Sequence, residues 1–300
     1  MQLSTSRFYD RAATSFGRLT ARAETLQTQI STGVRLQAPS DDALAYRRLA
    51  GLATTGANAK VYDANLSLAA GVLKQADTAL SAIGDQLQKA TELALKASND
   101  TLSTNDRRAI GVELAGIVET LAGLANAADP RGQPLFGGTD GGAAVVKGAA
   151  GYTLAGTLPS TIPIGDGQSV QATESAARVF GITGKNGATD ALTLIADLAA
   201  ALAGGAATGD VARAAVDDLN LAGEQAAAIQ ASLGARAARV EIVQAQLVEA
   251  GIDREEARAT LEDADRVAAA TELQKTMTIL QASQASFAKL SQLSLFDYLR

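Results

Sequence analysis

The chain of 300 residues contains no cysteine, no histidine and no tryptophan. Without cysteine it can form neither a disulfide nor a thiolate ligand, and it has no thiol nucleophile. Without histidine it lacks the side chain best suited to proton transfer near neutral pH, and zinc loses both of its preferred ligands. These absences argue against an enzyme and against a zinc protein, and no cofactor is expected.

Aromatic residues make up only 4% of the chain, although 47% of its residues are apolar and alanine is abundant. Because alanine favours helices and its thin side chain lets them approach closely, we expect long helices in bundles. Proline is also scarce, and four of the five prolines lie between residues 130 and 163. The rest of the chain is therefore free to be helical.

Basic runs and long apolar runs are missing as well. The formal net charge is −6, and no basic stretch contains interleaved aromatic residues, so binding of nucleic acid is not expected. No segment offers the roughly eighteen apolar residues that a membrane span needs, so no membrane insertion is expected. Residues 1–10 are polar and lack the apolar core of a signal peptide, which predicts that any export occurs without a cleaved signal.

Apolar residues spaced by three and four predict helices on both sides of a short central region. A first helix is expected over residues 6–31, with Gly33 as its C-terminal cap. A second begins at Ser40 and extends to about residue 98, and a third begins after Ser103 and ends at Asp129. The apolar stripes of the second and third helices consist of Leu73, Ala76, Leu80, Ile83, Leu87, Ala90, Ala94, Ile110, Leu114, Ile117, Leu121 and Leu124.

The central region, residues 131–187, is rich in glycine, threonine, proline and valine, which is typical of short strands and turns. Helical spacing resumes at Asp190, and Gly251 predicts a joint before a C-terminal helix over about 253–293. The predicted fold is mainly α, a long helical coiled-coil bundle from the N- and C-terminal halves with a small nested β domain. Its predicted parts are terminal helices (1–45 and 260–300), a helical bundle (46–130 and 188–259) and a β-rich insertion (131–187).

Both ends of the chain carry regular apolar stripes, whereas the ends of ordinary domains are usually polar and frayed. Six large side chains between Leu290 and Leu299 would contribute at most ~9–18 kcal/mol if fully buried. A seam between two helices leaves half of each helix in water, so we expect another molecule to cover these residues. The candidate assembly residues at the two ends are Leu19, Leu26, Ile30, Leu280, Phe287, Leu290, Leu293, Leu295, Phe296, Tyr298 and Leu299.

Arg236 is a further candidate assembly residue, because it occupies an apolar position of the heptad that contains Leu233 and Val240. Its stem could lie along the bundle with its guanidinium group in solvent. Alternatively, it could form a buried ion pair with an acidic residue of a neighbouring helix or subunit, which would fix the register of the helices. The sequence leaves both alternatives open.

Two kinds of pattern invite an enzymatic interpretation, and neither supports it. The adjacent carboxylates Asp41-Asp42 and Asp217-Asp218 lie in helical sequence, where consecutive side chains point about 100° apart and do not converge on one proton. The glycine-rich segment that ends at Gly184-Lys185 has Val179 where a phosphate-binding loop needs glycine. No catalytic residues are predicted.

Seven short motifs occur in order along the two helical halves of the chain: Ile30–Leu36, Pro39–Asp42, Leu233–Arg236, Glu262–Asp265, Ala270–Leu273, Leu280–Ala285 and Ser291–Leu299. Together they resemble the flagellin superfamily, and within it the hook–filament junction proteins known as hook-associated proteins 3. The proline before Ser40-Asp41-Asp42 and the Ser-Leu-Phe-Asp-Tyr-Leu ending resemble the junction proteins more than the filament flagellins.

This resemblance implies an extracellular structural protein of the bacterial flagellum, exported through the type III apparatus without cleavage. It implies a ring that joins hook to filament, made of copies of the chain, with hook-associated protein 1 and flagellin as neighbours. The terminal helices would form an inner coiled coil, and an export chaperone would cover the C-terminal region before secretion. The alternative is a filament flagellin, and a carbohydrate-binding role for the insertion 131–187 is a third possibility.

Overall fold

The computed structural model describes the backbone of residues 2–129, 131–138, 141–148, 151–157, 160–184, 187–205 and 209–298, and side chains from residue 7 to residue 290 within those ranges. The helices are α1 (Gln2–Thr32), α2 (Ala43–Ala97), α3 (Thr104–Ala125), α4 (Ala176–Phe180), α5 (Ala191–Ala203), α6 (Gly209–Glu262) and α7 (Arg266–Tyr298). The strands are β1 (Val145–Gly148), β2 (Gly151–Leu154), β3 (Thr161–Gly165), β4 (Gln168–Gln171), β5 (Gly181–Gly184) and β6 (Gly187–Asp190). The mainly α prediction is confirmed.

The chain divides into two compact units. One contains residues 1–57 and 250–300, and the other contains residues 58–249. Each of the long helices α2 and α6 contributes to both units. The three-part division expected from the sequence stays a prediction.

The core of the 58–249 unit is built on the apolar stripes that the sequence predicts. Every predicted stripe residue of α2 and α3 is buried except Leu124, which is half-buried. α3 packs against α5 so closely that a Cβ on Gly111 would lie 2.8 Å from the carbonyl oxygen of Ala199. Glycine is therefore required at position 111, because any side chain would force the two helices apart.

The insertion consists of three antiparallel hairpins, β1–β2, β3–β4 and β5–β6, and the described strands of different hairpins do not pair with one another. Isolated hairpins are marginally stable at best. These hairpins instead bury residues in the same hydrophobic core as the helices, namely Val145, Ile162, Ile164, Val170 and Ile182. The insertion also contains α4, a short helix that the sequence pattern did not predict.

Polar contacts fix the β3–β4 hairpin to α2. The Tyr62 hydroxyl donates to Asp166 Oδ1 at 2.7 Å, close to the turn of the hairpin. One helical turn further along α2, the Asn65 side chain donates to the carbonyl oxygen of Pro163 at 2.8 Å. The hairpin is thus held at its turn as well as by its buried residues.

The start of α2 and the end of α3 differ from the predicted ones. α2 begins after Asp42 rather than at Ser40, because Asp42 Oδ1 accepts hydrogen bonds from the backbone N–H groups of Leu44 and Ala45. α3 begins as predicted, with Ser103 and Asp106 forming a reciprocal capping box. It ends at Ala125 instead of Asp129.

The predicted joint at Gly251 is wrong, because α6 continues through it to Glu262. A single glycine within a helix costs about 1 kcal/mol relative to alanine, which the rest of a long helix offsets. The interruption lies instead at residues 263–265. There Asp265 Oδ1 accepts hydrogen bonds from the backbone N–H groups of Val267 and Ala268 and so starts α7.

Candidate assembly surface of the terminal helices

The terminal helices α1 and α7 pack against each other in antiparallel orientation within the unit of residues 1–57 and 250–300. Ring contacts join Phe8 to Phe287, while Gly33 lies beside Arg266 at the other end of the pair. The residues that face the partner helix alternate in steps of three and four along both helices, which is the spacing of a coiled-coil seam. They are Tyr9, Ala12, Phe16, Leu19, Ala23, Leu26 and Ile30 in α1, and Ala269, Leu273, Thr276, Leu280, Ser283 and Phe287 in α7.

The structure places five of the predicted terminal residues in this seam. Leu26 is buried, and the side chains of Leu19, Ile30, Leu280 and Phe287 are half-buried. Leu290 continues the spacing but is exposed. The remaining predicted residues lie outside the described side chains: Leu293, Leu295, Phe296, Tyr298 and Leu299.

An aromatic cluster holds the far end of the pair together. The Phe287 ring stacks on Phe8 with centroids 5.8 Å apart, and it meets Tyr9 and Phe16 edge-on at 5.3 Å and 5.6 Å. Such pairs contribute about 0.5–1.5 kcal/mol each beyond the area they bury. Only 4% of the residues in this chain are aromatic. The grouping of four aromatic rings at one place therefore indicates that the seam is a specific contact.

Eight of the thirteen seam residues were not among the predicted assembly residues, and the buried ones, Ala23, Ala269 and Thr276, are small or polar. Ala23 is buried against α7, and Thr276 is buried with its hydroxyl donating to the carbonyl oxygen of Glu272 at 2.8 Å. Their place in the three-and-four spacing was the signal that could have identified them.

At the other end of the pair, the segment after α1 is joined to the α6–α7 break by backbone hydrogen bonds. Arg35 N–H donates to the carbonyl oxygen of Glu262 at 2.7 Å, and Ala264 N–H donates to that of Gly33 at 2.8 Å. Gly33 has a φ of 77°, the left-handed conformation expected of a helix C-cap. This connection fixes where α7 begins relative to α1.

Asp41 organises the turn between α1 and α2. Its Oδ2 atom accepts hydrogen bonds from the backbone N–H groups of Ala38 and Gln37, each at 2.9 Å. These two bonds lower the pKa of Asp41 below its usual value. Asp42 caps α2, so the two adjacent carboxylates serve separate backbone groups, although both lie before the helix and not within it as the sequence indicated.

Outside the buried seam, the surface of α7 is exposed although it carries almost no charge. Between Thr276 and Leu290 the only charged residue is Lys289. Met277 and Ile279, which flank the seam on opposite sides, are 44% and 43% exposed, and Leu290 at the end of the seam is 53% exposed. The solvated surface of a helix is normally charged or strongly polar, so this surface has the composition of one that another molecule covers.

Arg236 lies in the other unit, residues 58–249, and its guanidinium group is bound inside the chain. Nη2 pairs with Glu174, and Nη1 donates to the carbonyl oxygen of Gln171 at 3.0 Å. Of the two alternatives left open by the sequence, the structure shows the ion pair. Its partner belongs to the insertion rather than to a neighbouring helix or subunit.

No group of three or more acidic side chains is placed to hold a metal ion in the described part of the chain. None of the described helices has the length and apolar character needed to cross a membrane.

Comparisons with known proteins agree on one family. The model of the bacterial flagellin N-terminal helical region matches residues 4–140, and that of the C-terminal helical region matches residues 216–299. Flagellar hook-associated protein 3 of Escherichia coli is 25% identical over 286 residues, which cover 90% of each chain.

Two further relatives carry the same kind of name. Flagellar hook-associated protein 3 of Salmonella typhimurium is 28% identical over 180 residues, which span 60% of this chain and 57% of that protein. The structure of Xanthomonas campestris FlgL shares the fold with a TM-score of 0.62 at 18% identity, covering 69% of this chain and 99% of that one. The chain therefore belongs to the flagellin superfamily, within which it resembles the hook-associated proteins 3.

Proposed function

We propose that this chain is a structural component of the bacterial flagellum that joins hook to filament. In this proposal, copies of the chain assemble into a ring through their terminal helices. The observation that carries the assembly mechanism is the charge-poor, exposed surface of α7 on both sides of the seam and at its end. The junction role is supported by the relatives named flagellar hook-associated protein 3.

The two faces of the terminal pair have different roles in this mechanism. The inner seam, with Leu26, Leu280 and Phe287, holds α1 to α7 within one subunit. Met277, Ile279 and Leu290 contact neighbouring subunits, and we extend the same role to Leu293, Leu295, Phe296, Tyr298 and Leu299. Burying one large apolar side chain contributes at most about 1.5–3 kcal/mol, so several must act together to order the assembly.

The neighbours in the assembly are further copies of the chain, with hook-associated protein 1 on the hook side and flagellin on the filament side. We propose that the protein is exported without a cleaved signal and works outside the cell. An export chaperone would cover the exposed apolar surface of α7 before secretion, because such a surface promotes aggregation. The chain itself has no enzymatic activity in this proposal.

The assembly surface is tested with Met277→Glu and Ile279→Glu, separately and together. Both side chains are exposed, so the variants should keep the helical content of the parent monomer. Cells that lack their own copy of this protein should regain attached filaments and motility with the parent chain, and lose both with the double variant. Val112→Glu is the matched control, because Val112 is 69% exposed on α3 in the other unit.

The outcomes separate the junction role from that of a filament flagellin. Normal filaments on cells without this protein would contradict the junction role. Long filaments formed by the purified chain alone would favour the flagellin alternative, which the flagellin family models also allow. Full motility with the double variant would show that the exposed surface of α7 beside the seam is not an assembly surface.

A further inference from the structure

Glu174 is a buried carboxylate that the proposed function does not use. It follows β4 in the segment that leads into α4, and its side chain is only 1% exposed. A buried carboxylate is strongly destabilising unless it is paired and hydrogen-bonded. Its surroundings must therefore supply cations.

Two arginines supply them. Arg236 reaches Glu174 Oε1 from α6 through Nη2, with 22% of its side chain exposed. Arg178 of α4 places Nη1 3.3 Å from Glu174 Oε2, an ion-pair distance without hydrogen-bond geometry. Arg178 belongs to the insertion itself, so the contact that crosses to α6 is made by Arg236.

Arg236 also binds the backbone that directly precedes its carboxylate partner. Its Nη1 atom donates to the carbonyl oxygen of Gln171 at 3.0 Å and lies 3.4 Å from that of Thr173. The fixed, planar fork of a guanidinium group can serve several acceptors at once, whereas a lysine ammonium is a single point charge. The end of β4 is thereby fixed in both position and direction relative to α6.

Strand pairing does not set the position or direction of β4 relative to α6. The β3–β4 hairpin is a separate two-stranded sheet, so no neighbouring described strand sets its direction. Buried side chains such as Ile164 and Val170 attract the hairpin to the core, but apolar contact is non-directional. The contacts of Tyr62 and Asn65 with residues 163–166 fix the other end of the hairpin.

We propose that Arg236 is a positioning residue that fixes the orientation of the β3–β4 hairpin on the helical body through Glu174 and the carbonyl groups of residues 171 and 173. The ion pair contributes a unique orientation rather than net stability. Replacing a buried ion pair with apolar side chains is often neutral or stabilising, whereas removing one partner is strongly destabilising. This inference does not depend on the junction role.

The full-length chain is well suited to a distance measurement, because it has no cysteine of its own. Spin labels are attached to Ser169→Cys in β4 and Ala231→Cys in α6, both exposed positions of the 58–249 unit. The distance distribution is measured by pulsed electron paramagnetic resonance. The unfolding midpoint in denaturant is measured on the same proteins.

The double variant Arg236→Met with Glu174→Leu should unfold at the parental midpoint or above it, but its distance distribution should broaden. In the single variant Arg236→Met, amide hydrogen exchange in β3 and β4 should accelerate by roughly ten- to a hundredfold, because Glu174 keeps only Arg178. Arg236→Lys keeps the charge but not the planar fork. Its exchange rates and its distance distribution should therefore lie between those of the parent chain and those of Arg236→Met. Arg239→Met, an exposed arginine one turn further along α6, is the matched control.

A double variant with the parental distance distribution would overturn the proposal. So would equal broadening in Arg239→Met, since the effect would then follow loss of any charge from α6. If the double variant fails to fold, Arg236→Lys decides the question: parental exchange rates and distances in that variant would also overturn the proposal.

Discussion

The side chain of Asn126 pairs with the backbone of Val145 as a neighbouring strand would. Its Oδ1 atom accepts a hydrogen bond from Val145 N–H at 3.0 Å, and its Nδ2 group donates to the Val145 carbonyl oxygen at 2.9 Å. Asn126 is also the C-cap residue of α3. The side-chain amide of one residue, Asn126, therefore joins the end of α3 to the first strand of the insertion through two hydrogen bonds.

Asn126→Ala should lower the free energy of unfolding by about 1–3 kcal/mol, because it leaves both polar groups of the partly buried Val145 backbone unpaired. Denaturant unfolding followed by circular dichroism measures the loss, and amide exchange at Val145 localises it. Asn220→Ala is the control, because Asn220 is exposed in α6. It should be neutral or slightly stabilising. An equal loss in the control would contradict this interpretation.

Gly33 should not tolerate a side chain. Its φ of 77° disfavours L-residues, whereas the contact of a Cβ with Arg266 Nη2, at 2.5 Å, could be relieved by moving that flexible side chain. Gly33→Ala should therefore destabilise the α1–α7 pair by about 1–2 kcal/mol, measured as faster amide exchange in both helices. Gly17→Ala provides the contrast, because Gly17 is inside α1 with open space around it. That variant should stabilise α1 by about 0.5–1 kcal/mol, and a loss there would count against this reasoning.

The turn between α1 and α2 should loosen in acid. The hydrogen bonds from Ala38 and Gln37 lower the pKa of Asp41 in the folded state, so its ionised form favours the turn. This contribution is complete above the unfolded pKa of about 3.9 and is lost as the pH falls through the lower folded pKa. Nuclear magnetic resonance of the Gln37 and Ala38 amides should follow this titration, and Asp41→Asn should abolish it. A titration that persists in Asp41→Asn would assign it to another group.

In dilute monomer, the predicted terminal segments 1–45 and 260–300 should be less ordered than the 58–249 unit. Their seam joins only two helices, and one face of α7 is uncovered. Hydrogen exchange should therefore be fast in α1 and α7 and slow at core residues such as Leu80 and Leu114. Assembly should slow the exchange of the terminal helices. Strong protection of residues 290–299 in dilute monomer would contradict the prediction.

Deleting residues 290–300 should abolish assembly while the 58–249 unit stays folded. The deletion removes the end of α7 and leaves the seam up to Phe287 intact. Far-ultraviolet circular dichroism should lose only the signal of the deleted residues, and sedimentation or electron microscopy should show no assembled rings. A much larger loss of helical content would mean that the terminal residues also support the core.

Apart from the short helix α4, the helices of the 58–249 unit could be predicted because each buries one continuous stripe, as from Leu73 to Ala94 in α2. Regular spacing is a local property, and a sequence displays it directly. The start of α7 was missed because its signal is a single capping side chain, Asp265, whereas Gly251 looked like a stop and is tolerated inside α6.

The partner of Arg236 could not be predicted for a different reason. Glu174 is 62 residues away in a loop between a short strand and a short helix, where no periodic pattern indicates direction. The same limit applied to Asn126, whose backbone partner carries no side-chain signal at all. Contacts set by tertiary geometry become visible only when the chain is folded.

The pairing of α1 with α7 brings together segments separated by more than 200 residues of chain. Contacts of such high sequence separation form slowly, because the whole intervening loop must close before they contribute. α1 is thus among the last helices to find its partner. Until then Leu26 and Phe16 remain exposed to solvent. Other proteins can therefore distinguish a newly made chain from one in which α1 and α7 have paired.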